Sequence, residues 1–422
     1  QMAQQTESRA VFDFSGMEGT DGLSSCLRET DPAGLVRDIK IPALALMDPS
    51  LDRVLEKTGV HNLWVECPLG FSAEDMSSFL NKLREISKQY GCFPITGDTG
   101  LMAKMLKEDS GLRRIVLKGC EASGFVGRET TMALYSMAKE MLRSSSTPFD
   151  ILIWGGVFIP EAAAAFLSTG AAGIIFESAH WLTDRVAVDD FQQEQVSRLR
   201  PDSTDLVGLD LQVPCRLFNK GNSLAFKDIK ACEDSLSGTT VMEASRQSFA
   251  NRVNAGAVHP LKSLFSRDEI IFLGVESAFA EAFVNRFGAK TGEAVKAFMD
   301  EIHTLCSLAK EKKNCFVDSP AAKEMGTLYP FIQGAMSWIT DVPEFALRVA
   351  EAGGLPTIAL GMMDSEALDQ KLGRLPDIMG EHPYAVNMVS LAENPFRGLH
   401  LAWIKKHRPR FAVIAGGDLS AV

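Results

Sequence analysis

The stretch RRIVLKGCEASGFVGR at residues 113–128 is followed along the chain by DILIWGGVFIPE at 150–161 and GAAGIIFESAHWLT at 170–183. Each segment contains an apolar run of strand length that ends in a loop, and glycines mark the first two loops. Strands that alternate with helical segments in this way are typical of the closing half of a (β/α)₈ barrel. Because that fold places its chemistry at the carboxyl ends of the strands, we expect functional residues in these three loops.

Four further strand-like runs precede these segments and alternate with helix-like stretches. They are VFDFSG at 11–16, ALALMD at 43–48, LWVEC at 63–67 and FPITGD at 93–98. Runs that are apolar on both faces and alternate with helices indicate parallel βαβ units. The total is seven strands where a closed barrel needs eight. We therefore predict an α/β fold with a first TIM-barrel-like domain over residues 1–190.

The pattern changes after residue 190, where a polar segment precedes the extended stretch VGLDLQVPCRLFNKGNS at 207–223. Helical patterns dominate the residues that follow. In the segment 290–313 Thr291 is predicted to cap a helix, one face of which carries Val295, Phe298, Met299, Ile302, Leu305 and Leu308. This region is predicted to be a mainly helical accessory domain over 191–325.

Barrel-like alternation resumes after residue 325. The predicted strands are YPFIQGAM at 329–336, PTIALG at 356–361, YAVNMVS at 384–390 and RFAVIAGG at 410–417. Asp341 and Glu344 resemble a capping box that opens a helix at 343–352. The sequence therefore predicts a truncated second TIM barrel, of which residues 326–422 form the front half.

Composition narrows the functional classes. The chain has 422 residues, is 46% hydrophobic and carries a net charge of -11, which argues against a nucleic-acid partner or an anionic membrane surface. The eight cysteines are scattered without a CxxC pair, so we expect no metal site, no disulfide framework and a cytoplasmic location. Since residue 1 is Gln and the last residues form a strand without a closing helix, we expect a fragment of a longer polypeptide.

The third region resembles the opening of the nitronate monooxygenases, once called 2-nitropropane dioxygenases, and of the related FMN-dependent enoyl reductases. The motifs of that family are a QxPM-like first strand, a helix ending in AxAGG, a third strand ending in VN and a glycine-rich fourth turn. This chain has QGAM at 333–336, AEAGG at 350–354, VN at 386–387 and GG at 416–417. The resemblance implies flavin contacts at Met336, Asn387 and Gly361.

The first region resembles the closing half of the same family, whose motifs are GxEAGGH, GGI and GADGVxMGT. The corresponding residues are GCEASGF at 119–125, GGV at 155–157 and GAAGIIFES at 170–178. Phe125 replaces the catalytic histidine of the family, and Glu177 replaces a glycine beside the flavin phosphate. A carboxylate there would repel a phosphate dianion. The first barrel is therefore expected to be degenerate.

Four residues of the first region, Gly124, Gly155, Gly156 and Ser178, are implied as cofactor contacts by the same resemblance. A glycine-rich loop can present backbone N–H groups to an anion. The alternative is that the glycines only turn the chain at the strand ends.

Three side chains of the first region are weaker catalytic candidates, and the catalytic residues stay unknown. Lys118, at a strand end, could form a Schiff base, although an ion pair with Glu121 or Glu177 is the commoner role. Cys120 could be an activated thiolate but fits a small buried residue better. His180 could replace the missing base, or it could be a packed loop residue.

The order of the pieces resembles the tandem barrels of large type I polyketide and polyunsaturated-fatty-acid synthases. That resemblance implies an FMN-dependent oxidoreductase region that reduces an enoyl thioester, with NAD(P)H as reductant. The implied partners are an acyl thioester or other small molecule and further domains of the same synthase, and a homodimer stays open. The alternatives are a nitronate monooxygenase and a non-catalytic barrel that serves as a scaffold or docking domain.

Overall fold

The computed structural model describes residues 10–14, 23, 27, 36–67, 73–107, 111–143, 148–186, 188–219, 223–237, 243–258, 268–311 and 316–417. By its internal contacts the chain divides into two units, Gln1–Lys310 and Glu311–Val422, here called the first unit and the second unit. No helix in the described ranges is long and apolar enough to cross a membrane.

The strands are short and are numbered in chain order. They are β1 Val11–Asp13, β2 Asp38–Pro42, β3 Asn62–Glu66, β4 Gly91–Thr96, β5 Arg114–Lys118, β6 Gly124–Phe125, β7 Asp150–Trp154, β8 Gly173–Ile175, β9 Thr204–Val207, β10 Cys215–Phe218, β11 Ala257–Val258, β12 Ile270–Ile271, β13 Thr357–Ala359, β14 Ala385–Val389 and β15 Phe411–Ala415.

The α-helices alternate with most of these strands. In the first unit they are Ala43–Leu46, Leu51–Leu55, Ala73–Ile86, Gly100–Lys107, Thr131–Arg143, Pro160–Ser168, Asp190–Ser197, Leu224–Ser237, Glu243–Gly256, Ala280–Phe287 and Thr291–Glu311, the last of which ends one residue past the unit boundary. In the second unit they are Pro320–Met325, Pro343–Glu351, Ser365–Leu372, Leu375–Met379 and Arg397–His407. Pro201–Ser203 and Val275–Phe279 are 3₁₀ turns.

A seven-stranded parallel sheet forms the frame of the first unit, in the order β1-β2-β3-β4-β5-β7-β8. The predicted number of strands is confirmed, but one prediction was wrong: ALALMD at 43–48 is not a strand. The strand is β2, and the helix Ala43–Leu46 follows it directly after Pro42. The error arose because Asp38 and Lys40 make β2 look like a polar segment, although both side chains are buried.

The sheet is curled, as in a barrel. In the sheet order three strands lie between β2 and β7, which would set them about 19 Å apart in a flat sheet. The Nζ atom of Lys40 on β2 nevertheless lies 5.0 Å from the centre of the Trp154 ring on β7. On the inner face the Trp64 ring stacks on Phe93, with 4.4 Å between ring centres. Both rings belong to the same hydrophobic cluster as Val116.

Helices cover the outer face of the sheet, where the largest core lies. The helix Thr291–Glu311 contributes to this core through Val295, Phe298 and Ile302. Thr291 is its first residue and not its cap, so that prediction was wrong. The carboxylate of Asp184 accepts the N–H and the hydroxyl of Thr291, at 3.0 and 2.9 Å.

A small antiparallel sheet, in the order β6-β10-β9, lies beside the large one and includes part of the loop that follows β5. The extended stretch predicted at 207–223 contains β10. The strands β11 and β12 form a separate parallel pair. The domain boundaries near 190 and 325 stay predictions.

The second unit contains a parallel sheet of β13, β14 and β15, with helices packed on its core. Three predicted strands are confirmed, whereas the run 329–336 forms only an isolated bridge between Ile332 and Leu355. The predicted capping box is also wrong, because the helix Pro343–Glu351 begins after Val342 without a side-chain cap. The Asp341 carboxylate instead pairs with Lys371 at 2.5 Å.

Gly119, directly after β5, leaves no room for a side chain. A Cβ atom there would lie 2.5 Å from the Thr131 backbone. We expect Gly119→Ala to lower the free energy of unfolding by about 1–3 kcal/mol, the cost of overpacking. Gly173→Ala is the control, because its Cβ would meet only Leu152 at an ordinary 3.6 Å. Equal urea midpoints for the two variants would contradict this packing.

Candidate functional site

A chain of charges runs along the inner face of the first unit, at the carboxyl ends of its strands. Lys40 pairs with Asp13 at 3.0 Å and with Glu66 at 3.1 Å, and Glu66 pairs with Lys118 at 2.7 Å. Both lysine ammonium groups also lie over the ring of Trp154, which favours cations. We name these four ionised residues the ionic chain; their charges cancel.

Burial and pairing act in opposite directions on these groups. Burial alone would lower the pKa of Lys40, but Asp13 and Glu66 outweigh it, so the pKa lies above its ordinary value. Burial would likewise raise the pKa of Glu66, but Lys118 and Lys40 hold it below normal. The members of the ionic chain therefore stabilise one another in their charged forms.

Lys118 pairs with Glu66, and not with Glu121 or Glu177 as the sequence suggested. Its side chain is 3% exposed. An amine that forms a Schiff base must reach a carbonyl carbon in its unprotonated form. In this arrangement Lys118 would first have to leave both Glu66 and the ring of Trp154.

The loop after β5 is held by its own hydrogen bonds. The Glu121 carboxylate accepts the N–H and the hydroxyl of Thr131, at 2.9 and 2.7 Å, and so caps the helix that begins there. Phe125 packs against Phe272. Burial, with help from Glu121, raises the pKa of the Cys120 thiol, which disfavours the reactive thiolate.

The loops after β7 and β8 converge on a carboxyl group that the sequence did not single out. Oε2 of Glu276 accepts the backbone N–H of Glu177 at 3.0 Å and that of Ser178 at 3.4 Å, whereas Oε1 is buried without a hydrogen-bond partner among the described residues. The backbone of Val157, in the loop after β7, lies close enough to lower the pKa of this carboxyl. Glu276 is completely buried. Burial, followed by the charge of Glu177, raises the pKa of Glu276 to about 8, against the effect of the backbone bonds.

Ser178 and His180 follow β8 and are also enclosed. Within the described ranges the Ser178 hydroxyl and Nδ1 of His180 are buried without a hydrogen-bond partner. The imidazole lies 5.5 Å from the Phe176 ring, between ring centres. Burial lowers the pKa of His180 to about 4, so the ring is neutral at physiological pH and is a weak base.

The second unit brings its three predicted cofactor contacts to one edge of the sheet. The N–H of Leu360, beside Gly361, donates to the Asn387 carbonyl at 2.9 Å. A Cβ at Gly361 would lie 3.4 Å from Oγ of Ser337, the neighbour of Met336. The Asn387 amide donates to the Val413 carbonyl at 3.1 Å, and Met336 is more than half exposed.

Sequence reasoning located the loops but missed two of the groups that organise them. Glu66 had a recognisable signal, because it ends an apolar strand at the edge where functional side chains gather. Glu276 had a weaker one, a single carboxylate within the largely apolar run 270–280. The site roles assigned to Gly124, Gly155 and Gly156 stay predictions; all three have left-handed backbone angles that turns require.

The ionic chain predicts unequal effects when its members are removed. Glu66→Gln leaves two buried ammonium groups without their shared carboxylate, and we expect it to cost about 3–5 kcal/mol in urea unfolding. Lys118→Met should lower the free energy of unfolding by less, because Glu66 still pairs with Lys40. Asp13→Asn is the control, because the Asp13 side chain is 55% exposed and should contribute about 1 kcal/mol or less. A Glu66→Gln cost as small as that of Asp13→Asn would contradict this order.

From the buried His180 we predict that the stability of the first unit decreases in acid. The pKa of His180 lies near 4 in the folded chain and near 6.5 in the unfolded chain. Its contribution to the free energy of unfolding is therefore complete above about pH 6.5 and falls as the pH drops toward 4. The slope is at most about 1.4 kcal/mol per pH unit, and His180→Gln should remove it. A proton NMR titration, with the His180 signal assigned through this variant, checks the pKa directly. A midpoint near the unfolded value would refute the buried state.

Known proteins provide an independent comparison. The chain is 36% identical over 89 residues to a probable nitronate monooxygenase from Staphylococcus saprophyticus. This match covers 20% of the chain and 24% of the relative, so the chain spans about a quarter of the length of that curated relative. No family model matches the chain.

Two solved structures have a similar fold. FabK from Thermotoga maritima gives a TM-score of 0.52 at 16% identity, covering 75% of this chain and 91% of FabK. A nitroalkane oxidase from Streptomyces ansochromogenes gives 0.50 at 12% identity, covering 73% of this chain and 93% of the oxidase. At such identities the likeness concerns the fold. The chain therefore has a TIM-barrel-like α/β fold similar to that of these two proteins.

Proposed function

We propose that the complete protein is an FMN-dependent oxidoreductase whose flavin is held by the second unit. The observation that carries this proposal is the meeting of Met336, Gly361 and Asn387 at one sheet edge. Parallel α/β folds bind their ligands at the carboxyl ends of their strands. Gly361 lies two residues past the end of β13, and Asn387 in β14 pairs with Ala359, the last residue of β13. The QGAM and VN motifs supply the same residues in the order that the resemblance requires.

The surroundings of this edge fit an aromatic, largely apolar ring system. Met336, Trp338, Ile339 and Met362 are exposed apolar side chains close to it in sequence. Trp338 also has a left-handed backbone at φ 71°, which costs a residue other than glycine some strain. Exposed apolar surface and local strain both concentrate at binding sites.

The finer proposal is reduction of an enoyl thioester within an acyl-chain synthase. A bound FMN would supply hydride transfer, with NAD(P)H as the source of the electrons. The residues of this chain would bind and orient: Gly361 allows close approach because it has no side chain, and Asn387 is fixed by its bond to Val413. The acyl thioester would come from other domains of the same protein.

Nitronate oxidation is the second candidate, and the sequence match to a probable nitronate monooxygenase favours it. That reaction begins with proton abstraction at carbon and needs a base. In the first unit Phe125 stands at the position of the family histidine, and His180 is a buried, weak base. These two residues bear on the first unit alone, and we rank enoyl reduction first because the order of the pieces along the chain resembles that in the acyl-chain synthases.

The proposal predicts a flavin absorbance spectrum for the protein at its natural length. Gly361→Val should lower the flavin content about tenfold, because its side chain would occupy the space proposed for the flavin. A tenfold change corresponds to about 1.4 kcal/mol of binding free energy. Gly398→Ala, at a helix position with open space around it, should leave the flavin content unchanged. A colourless wild-type protein that binds no added FMN would refute the proposal.

Activity assays on the same preparation separate the two reactions. Enoyl reduction predicts that NADH or NADPH is consumed only when an enoyl thioester is added. Nitronate oxidation predicts oxygen consumption with a nitronate and no requirement for the nicotinamide.

A further inference from the structure

One segment of the first unit covers the carboxyl ends of its own strands. It runs from β12 through the 3₁₀ turn Val275–Phe279 and touches three loops. The N–H of Val275 donates to the Glu121 carbonyl at 2.9 Å in the loop after β5. The Phe279 ring stacks on Phe158 in the loop after β7, with 3.8 Å between ring centres.

Glu276 projects from this segment into the place where a barrel of this type would receive an anion. Barrels frequently bind phosphate through the loops that follow their seventh and eighth strands. By the motif resemblance, the last two strands of the large sheet, β7 and β8, correspond to those strands, and the N–H groups of Glu177 and Ser178 in the loop after β8 donate to Glu276. Several backbone N–H groups directed at one point form an anion-binding concavity.

The turn after β7 is shaped for this contact. Gly155 and Gly156 have φ values of 110° and 70°, which residues with a side chain rarely adopt. The backbone of the next residue, Val157, lies near the Glu276 carboxyl. The glycines that the sequence marks as a phosphate cradle thus form the turn that leads to a carboxyl group of the same chain.

We propose that Glu276 takes the place of a phosphate group, so that the first unit is a barrel whose anion site is filled by its own chain. An arriving phosphate would have to displace a completely buried side chain and the segment that carries it. It would also meet Glu177, whose carboxylate accepts the N–H of Ser123 at 3.3 Å beside the same loop. The residues present therefore do not fit a flavin phosphate here, and Glu276 acts as a positioning residue for the loop after β8, within a segment that also contacts the loops after β5 and β7.

Thermal unfolding of the full chain, with inorganic phosphate as the probe and chloride at matched ionic strength as the reference, tests this proposal. We expect the wild type to show no phosphate-specific shift. Glu276→Ala should unfold at a lower temperature and regain at least half of the loss in phosphate, because the freed N–H groups can donate hydrogen bonds to that anion. Glu276→Gln should unfold near the wild-type temperature and ignore phosphate, because its amide oxygen still accepts the same N–H bonds.

Three results would overturn the proposal. The first is a phosphate-specific stabilisation of the wild type that Glu276→Gln preserves. The second is a Glu276→Ala variant as stable as the wild type and insensitive to phosphate. The third is a Glu276→Gln variant as unstable as Glu276→Ala, which would show that the carboxyl does not act as an acceptor.

The wild-type and Glu276→Gln measurements decide the proposal even if Glu276→Ala does not fold. Because the variants lie in the first unit, none of them alters the residues proposed to hold FMN in the second unit.

Discussion

The ion pairs that Glu66 makes with Lys40 and Lys118 constrain the shape of the first unit. These pairs hold the two lysines on the inner face, where both ammonium groups lie over the Trp154 ring on β7, and Lys40 on β2 can reach that ring only because the sheet curls. A buried charge without its partner is far more costly than the pair is stabilising. We therefore interpret the ionic chain as specifying the curl of the sheet, and not as a source of net stability.

This constraint determines what the inner face can hold. Trp154 lies under both lysines, and Trp64 stacks on Phe93 beside them, so side chains fill the interior as they do in packed barrels. Chemistry at the first unit is then left to the loops beyond the strands. Those loops are in turn bound by Glu121 and Glu276, both of which use their carboxyl groups on backbone N–H groups.

The sequence was most informative where a feature is local. Glycines and apolar runs correctly located six of the seven strands of the large sheet and three strands of the second unit. They failed at β2, because Asp38 and Lys40 are buried through contacts with Trp64, Asp13 and Glu66 from neighbouring strands. They also failed at Glu276, whose bond to Glu177 joins residues 99 positions apart. The residues adjacent to these side chains do not reveal which distant partners they contact.

The two units differ in what lies at the carboxyl ends of their strands. In the first unit the segment that carries Glu276 binds the loops after β5, β7 and β8. In the second unit the corresponding edge carries Gly361, which has no side chain, and the exposed Met336. A fold loses its ligand when its own chain supplies the contacts that the ligand made, and it can keep its stability while doing so. On the proposal that Glu276 fills the anion site, Phe125 and the buried Glu276 would be two parts of one change, in which the first unit kept the barrel frame without the site.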